Sequence, residues 1–128
     1  MTINKPIESI SEADLQTLVS DGVPEGKVIE YKESLPDNSY DNKKEFLADV
    51  SSFSNAAGGH LLLGIEEEAG IPVQICGLPG IDPDAEILRL ENMLRDNIEP
   101  RIPSLSMRAI QTSSGLVIVV RVPRSWVQ

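Results

Sequence analysis

Two charged residues on a short predicted strand are the first candidates for chemistry. Residues 27–33, KVIEYKE, alternate as in a β-strand, so Glu30 and Lys32 project from the same face. Carboxylate oxygens suit Mg²⁺ or Mn²⁺, and a nearby lysine steadies a phosphate oxygen or orients a water. A solvent-facing strand with cross-strand ion pairs shows the same pattern, so both interpretations stay open at this point.

A run of three carboxylates is the second candidate. Glu66, Glu67 and Glu68 follow the apolar run from His60 to Ile65, which has the length of a buried strand. In most proteins such a run is a solvated turn, but strand ends in α/β layers commonly carry the chemistry. Because His60 is the only histidine, neither a zinc site nor a catalytic triad is indicated.

The glycine pair before this strand raises the question of a phosphate-binding loop. Gly58 and Gly59 follow a predicted helix and precede a strand, whereas Rossmann and P-loop motifs run from strand to glycine to helix. Tight packing of the helix on the strand is therefore the better interpretation. Asn55, just before the pair, either caps the helix end or contacts a ligand.

Helical periodicity predicts two helices that come before this strand. A short one begins where Ser11 is followed by Asp14 and ends at Asp21-Gly22. A central helix over residues 44–57 begins at a capping box formed by Asn42 and Glu45. The apolar face of the central helix is predicted to comprise Phe46, Val50, Phe53 and Ala57.

The rest of the chain predicts a third helix and three more strands. Asp82 caps a helix over residues 83–98, with Pro83 at its first position. Strands are predicted over residues 73–78, 104–112 and 116–122, the last of them covered on both faces. The fold class is therefore α/β (α+β): a single domain, in which a mixed sheet of about five strands carries two main helices and a short N-terminal helix.

Composition limits the class of protein. The 128 residues suit one domain, and no apolar run is long enough to span a membrane. The single Cys76 cannot form an internal disulfide, so we predict a core position for it and a reducing, cytoplasmic setting. The net charge of −9 argues against binding nucleic acid by overall charge, although a local basic patch would suffice. Because the chain ends just after its most strand-like run, we expect a domain cut from a longer protein.

The pieces described so far resemble the Schlafen AlbA-type domain, known in bacteria as a DNA-binding domain of regulator-like proteins. The resemblance runs from Leu15 onward and implies an N-terminal helical segment over 1–22 and the family domain over 23–128. It is carried by Glu25 with EYKES at 30–34, FSNAAGG at 53–59, LGI at 63–65, Gly77, IEP at 98–100 and VRVPRS at 120–125.

The resemblance also implies a catalytic site. In nucleolytic Schlafens three carboxylates cleave RNA with a divalent metal, and the matching positions are Glu25, Glu30 and Glu67. The first two keep the family's five-residue spacing, and Glu67 lies three residues after Gly64. The implied cofactor is Mg or Mn, held by the same three residues. The family's nucleases tend to have Asp at the third position, so the longer side chain of Glu67 leaves the metal geometry open.

Basic residues are few, and they give the second set of predicted contacts. If the sheet brings them together, they form a modest phosphate-binding face. Aromatic residues make up only 4% of the chain, so base stacking has little support. The predicted nucleic-acid-binding residues are Lys27, Lys32, Lys43, Lys44, Arg101, Arg121 and Arg124.

Three functions follow as hypotheses. The first is a nucleic-acid (DNA)-binding domain of a transcriptional-regulator-like protein. The alternatives are a metal-dependent endoribonuclease with a three-carboxylate site, and a dimerisation or sensor module. The expected partners are DNA or RNA and a second copy of the chain, with no membrane.

Overall fold

A computed structural model describes residues 3–98 and 105–124 and places the most strand-like run of the sequence near the middle of a sheet. These residues have the predicted α+β architecture, but one mixed sheet of about five strands was expected, and the strands form a mixed sheet of four and a separate pair. None of their helices is long and apolar enough to cross a lipid bilayer. In chain order the elements are a 3₁₀ turn (Ile7–Ser9), α1 (Glu12–Ser20), β1 (Ile29–Lys32), α2 (Tyr40–Asn55), β2 (Gly59–Leu63), β3 (Ile65–Glu68), β4 (Ile71–Ile75), α3 (Pro83–Asn97), β5 (Ser106–Thr112) and β6 (Gly115–Val122).

The main sheet has four strands in the order β1-β2-β6-β5, and β3 and β4 form a separate two-stranded hairpin. β1 and β2 are parallel, which requires a crossover, and α2 supplies it. β6 runs antiparallel to both of its neighbours. The side chains of Val117 to Val120 are fully buried, so the prediction of a strand covered on both faces is confirmed.

Two apolar cores lie on opposite faces of this sheet. On one face, Leu15 and Leu18 of α1 pack with Tyr31 and Leu62. On the other face, residues of α2 and α3 cover the sheet: Phe46, Val50 and Phe53 from α2, Leu90, Met93 and Leu94 from α3, and Leu61, Leu63, Ile118 and Val120 from the strands. The strand side chains alternate between the two cores, which explains why β2 and β6 are apolar throughout.

Two of the predicted helix starts are confirmed, and a third is wrong. Ser11 and Asp14 form the capping box of α1, and the Asp82 carboxylate accepts the first N–H groups of α3. The central helix does not start at an Asn42–Glu45 box. Ser39 caps it instead, accepting the Asn42 N–H at 3.3 Å, so the helix gains a turn that begins at Tyr40. The reason is that Ser39, in extended backbone, accepts the Asn42 N–H, so Asn42 lies inside the helix and is not its cap.

The predicted helix-to-strand junction is tight, as expected, but the helix ends earlier than residue 57. α2 ends at Asn55, and Ala57 is exposed in the turn that follows. A Cβ on Gly59 would lie 2.5 Å from the ring of Phe53. Gly59 is therefore needed for close packing of α2 on β2, which agrees with the packing interpretation of the glycine pair.

Gly64 divides the apolar run that was predicted as one strand. Its φ of 114° is a conformation that side-chain-bearing residues avoid, and the chain turns there out of the main sheet. Its N–H still bonds to the Lys32 carbonyl at 2.7 Å, so the turn stays attached to β1. As a result, Glu66, Glu67 and Glu68 lie in the β3–β4 hairpin beside β1 and do not extend β2.

Candidate active site

The edge strand β1 positions the first pair of candidate residues. Glu30 and Lys32 pair with Leu61 and Leu63 of β2 and share the sheet face that α2 covers. Their predicted placement on one face is confirmed, since Lys32 Nζ lies 3.4 Å from Glu30 Oε2. The alternate position, Tyr31, is buried on the opposite side.

An open cavity of about 320 Å³ lies at this edge, and we call it the acidic cavity. It contains all three carboxylates predicted as catalytic and metal-binding: Glu25 from the loop before β1, Glu30 from β1 and Glu67 from β3. The complete lining is Glu25, Glu30, Tyr31, Lys32, Glu33, Glu45, Asp49 and Glu67. Six carboxylates and one lysine therefore surround the same volume.

Lys32 is the cation inside this group of acids. Its ammonium group contacts Glu45 and lies 3.4 Å from Glu30 and 3.9 Å from Asp49. Burial alone would lower the pKa of Lys32, but the hydrogen bond that its ammonium group donates to Glu45 and the nearby negative charges outweigh burial and raise this pKa. The three carboxylates thus stabilise the positive charge of Lys32 within the cavity.

Asp49 is the most perturbed acid of the cavity. No hydrogen-bond donor among the described residues reaches its buried Oδ2. Burial is the main cause that raises its pKa to about 7, and the adjacent Glu30 adds to the effect. Two carboxyl groups can share a hydrogen bond only when one of them keeps a proton, which explains the direction of the shift. Near neutral pH the Asp49 carboxyl is therefore partly protonated, and a cation bound beside it would favour its ionised form.

Backbone N–H groups hold the other two predicted acids. Glu25 Oε2 accepts the outward-facing N–H of Tyr31 at 3.0 Å, and Glu67 Oε2 accepts the N–H of Gly70 at 2.6 Å. Burial, followed by the charge of Glu25, raises the pKa of Tyr31 to about 12. The phenol stays protonated and donates to the Val23 carbonyl at 2.7 Å, which fixes the loop that carries Glu25.

The acidic cavity has the donor atoms that a divalent metal ion needs, but the described side chains that line it are not arranged to hold one. Carboxylate oxygens are suitable donors for Mg²⁺ or Mn²⁺, and the orphaned Asp49 oxygen is the kind of atom that a cation would satisfy. However, no three acidic, histidine or cysteine side chains within 3–98 and 105–124 are already gathered to hold a metal ion. Glu25 and Glu67 would first have to leave their backbone partners.

Reasoning from the sequence missed three acids of the cavity. Glu33 directly follows β1, and the other two are Glu45 and Asp49. Both come from α2 and are one helical turn apart, so they extend from one flank of the helix toward β1. The available signal was Asp49 itself, which directly precedes the buried Val50. A carboxylate at the border of an apolar stripe is unusual unless it has a partner.

The predicted basic residues do not form one face. Lys32 lies in the acidic cavity, whereas Lys43 and Lys44 line a groove on α2. Lys27 precedes β1 and Arg124 follows β6, so this pair lies at the opposite end of the sheet from the start of α2. Arg101 lies outside the described residues.

Arg121, the remaining basic candidate, forms hydrogen bonds inside the domain. Its guanidinium donates to His60 Nε2 and to the Ile3 carbonyl, both at 2.9 Å. Burial and the Arg121 charge lower the pKa of His60 to about 4, so the imidazole is neutral and accepts this bond.

Cys76, predicted in the core, is partly exposed, and its thiol contacts the Glu33 carbonyl.

Fold and cavity together define an α+β domain with an acidic site at the open edge of its sheet. The chain belongs to the Schlafen AlbA_2 family, whose model matches residues 25–128. No curated protein matches it.

Similar solved structures include the following two. One is the N-terminal domain of a "Putative ATP-dependent DNA Helicase RecG-related Protein" from Nitrosomonas europaea, with 26% identity, a TM-score of 0.59, and coverage of 90% of this chain and 74% of that one. The other is the DIP2311 protein from Corynebacterium diphtheriae, with 17% identity, a TM-score of 0.55, and coverage of 89% of this chain and 25% of that one. At that identity the second structure supports the fold alone.

Proposed function

We propose that this domain acts on nucleic acid and that its acidic cavity cleaves phosphodiester bonds with the help of a divalent metal ion. The observation that carries the proposal is the convergence of Glu25, Glu30 and Glu67 on one cavity from three separate segments. Family membership supports the nucleic-acid part, as does the DNA-helicase-related name of the protein with 26% identity. RNA is the substrate that the family resemblance implies.

The residues that would hold the ion are Glu25, Glu30 and Glu67, with Asp49 beside them. A bound Mg²⁺ or Mn²⁺ would relieve repulsion among the carboxylates, activate a water and stabilise charge on the scissile phosphate. The ammonium group of Lys32 has three N–H donors. It would keep one carboxylate contact and donate another hydrogen bond to a phosphate oxygen. Asp49 would release its proton, since a new cation removes the reason for holding it.

Matched substitutions in the β3–β4 hairpin test this proposal. Glu67→Gln should abolish Mn²⁺-dependent cleavage of a structured RNA, whereas Glu68→Gln, on the exposed next position, should retain it. Glu30→Gln should behave like Glu67→Gln. Mn²⁺ should also raise the melting temperature of the wild type and have a smaller effect on Glu67→Gln, which reports metal binding independently of cleavage. Wild-type protein that neither cleaves RNA nor responds to Mn²⁺ would refute the site.

DNA binding without cleavage is the second candidate, favoured by the DNA-helicase-related name of the similar N-terminal domain. The chain carries a net charge of −9, so this function needs a local basic surface. A salt titration of binding to duplex DNA tests it, since phosphate contacts give a negative slope of log K against log[salt]. A flat slope would exclude phosphate contacts. The regulator, dimerisation and cytoplasmic assignments stay predictions.

A further inference from the structure

A second concave surface lies on the other flank of α2, and we call it the α2–α3 groove. It has a volume of about 440 Å³ and begins at the first residue of the helix. Tyr40, Lys43, Lys44 and Leu47 recur at the spacing of one helical face, away from the flank that carries Glu45 and Asp49. The complete lining is Asn38, Tyr40, Lys43, Lys44, Leu47 and Asn97.

Tyr40 is the unusual residue of this groove. Its exposed fraction is 75%, whereas the other tyrosine of the chain, Tyr31, is only 1% exposed. The ammonium group of Lys44 lies 5.8 Å from the centre of the Tyr40 ring, within cation-π distance. A solvent-exposed aromatic ring can stack on a planar ligand, and the adjacent lysine adds a positive charge.

The charge of the groove is opposite to that of the chain. The chain has a net charge of −9, yet the described residues that line the groove include two lysines and no carboxylate. Its two amides are anchored: Asn38 accepts from Arg89 at 3.1 Å, and Asn97 donates to the Met93 carbonyl at 2.8 Å. The walls are therefore held in place before any ligand arrives, which reduces the ordering cost of binding.

We propose that the α2–α3 groove binds single-stranded nucleic acid, with an unpaired base stacked on Tyr40 and phosphates at Lys43 and Lys44. A flat ring next to cationic groups matches a nucleotide, whose base has an apolar face and whose backbone is anionic. A duplex is excluded from this mode because its base faces are covered by their neighbours. This inference rests on the proposed action on nucleic acid, and it adds the form of the ligand and the residues that hold it.

The groove and the acidic cavity lie on opposite flanks of one helix. An α-helix with its side chains is about 10–12 Å across, so a single strand that passes around α2 could contact both the groove and the acidic cavity. A single strand held at Tyr40 would therefore reach the acidic cavity. The groove would position a strand whose cleavage takes place on the other side of α2.

Binding without metal isolates the groove from cleavage. The experiment measures fluorescence anisotropy of a labelled single-stranded 12-mer and of the matching duplex in the presence of EDTA. Tyr40→Ala should weaken single-strand binding about tenfold, within the range of about 5- to 150-fold that base–aromatic stacking supports. Tyr40→Phe should bind like the wild type. Each of Lys43→Gln and Lys44→Gln should reduce the salt slope by about 0.7.

Controls remove similar groups elsewhere on the surface. Leu88→Ala deletes an exposed apolar side chain of α3, and Arg95→Gln deletes an exposed charge of the same helix, so neither should change binding. Equal binding by Tyr40→Ala and wild type, equal losses on duplex and single strand, or no wild-type binding would overturn the groove assignment. Competition by polyglutamate as effective as that by the oligonucleotide would also overturn it, in favour of an acidic peptide.

The two proposals fail separately. Retained Mn²⁺-dependent cleavage in Tyr40→Ala, together with unchanged binding, would reject the groove and leave the acidic cavity in place. Tyr40-dependent binding by a protein that shows no cleavage would reject the cavity's activity and leave the groove in place.

Discussion

Replacing Asp49 by Asn should stabilise the domain at alkaline pH, although the substitution removes a buried charged group. An acid whose pKa is about 7 in the folded state and 3.8 in the unfolded state binds its proton more tightly when folded. Its stabilising contribution is complete below about pH 4 and is lost as pH rises through 7. Asn carries a permanent N–H donor toward Glu30 and so imitates the protonated form of Asp49 at every pH.

The magnitude follows from the shift. About three pKa units correspond to roughly 4 kcal/mol as an upper bound. The Asp49 side chain keeps 19% of its surface exposed, and Lys32 is 3.9 Å away, so solvent and the lysine reduce this figure. We expect Asp49→Asn to raise the free energy of unfolding by about 1–2 kcal/mol at pH 8 and to change it little at pH 4.5.

Urea denaturation followed by circular dichroism at pH 4.5, 6 and 8 measures this difference. Glu91→Gln, an exposed position in the middle of α3, is the matched control and should give the same small change at each pH. Destabilisation by Asp49→Asn that is equal at pH 4.5 and pH 8 would refute the reasoning. Such a result would mean that the carboxylate is ionised and well paired in the folded protein.

Two further substitutions test the packing and the role of a basic residue. Gly59→Ala should destabilise the domain by about 1–3 kcal/mol, because the new methyl group would meet the Phe53 ring; a melting temperature equal to that of the wild type would show that α2 shifts freely. Arg121→Met should lower the melting temperature by removing the hydrogen bonds to His60 and Ile3, and should leave the salt slope of nucleic-acid binding unchanged; a reduced slope would show that Arg121 contacts phosphate.

Local signals predicted most of the fold correctly. Asp82 followed by Pro83 marks the start of α3, and the run at 116–122 marks a doubly covered strand, because each pattern is set by residues next to one another in the chain. The errors arose where local patterns compete. Ser39 and Asn42 both resemble caps, and periodicity cannot decide between two candidates three residues apart. Gly64 could not be identified as a corner because its conformation depends on Leu116 and Lys32, which are distant in sequence.

The candidate site was only partly predictable for the same reason. Glu25, Glu30 and Glu67 came from a family pattern, which preserves the order of residues along the chain. Glu45 and Asp49 join them only because the packing of α2 on the sheet brings both side chains next to Lys32 of β1, and that contact is tertiary. Lys32 was expected to serve a basic face, but it lies in a cavity lined by six carboxylates, and a sequence does not show what lies around a side chain.

β1 is an edge strand of the main sheet, and its outward edge affects how copies of this chain can associate. An unpaired edge strand is a template on which another strand can add, by association or by aggregation. Here the Glu25 carboxylate covers the outward N–H of Tyr31, and the Gly26 N–H bonds to the outward carbonyl of Ile29. The loop thus protects the strand from self-recognition, and the charge of Glu25 repels an incoming acidic copy. A change that draws Glu25 away would expose this edge and invite fibril-like growth of the sheet.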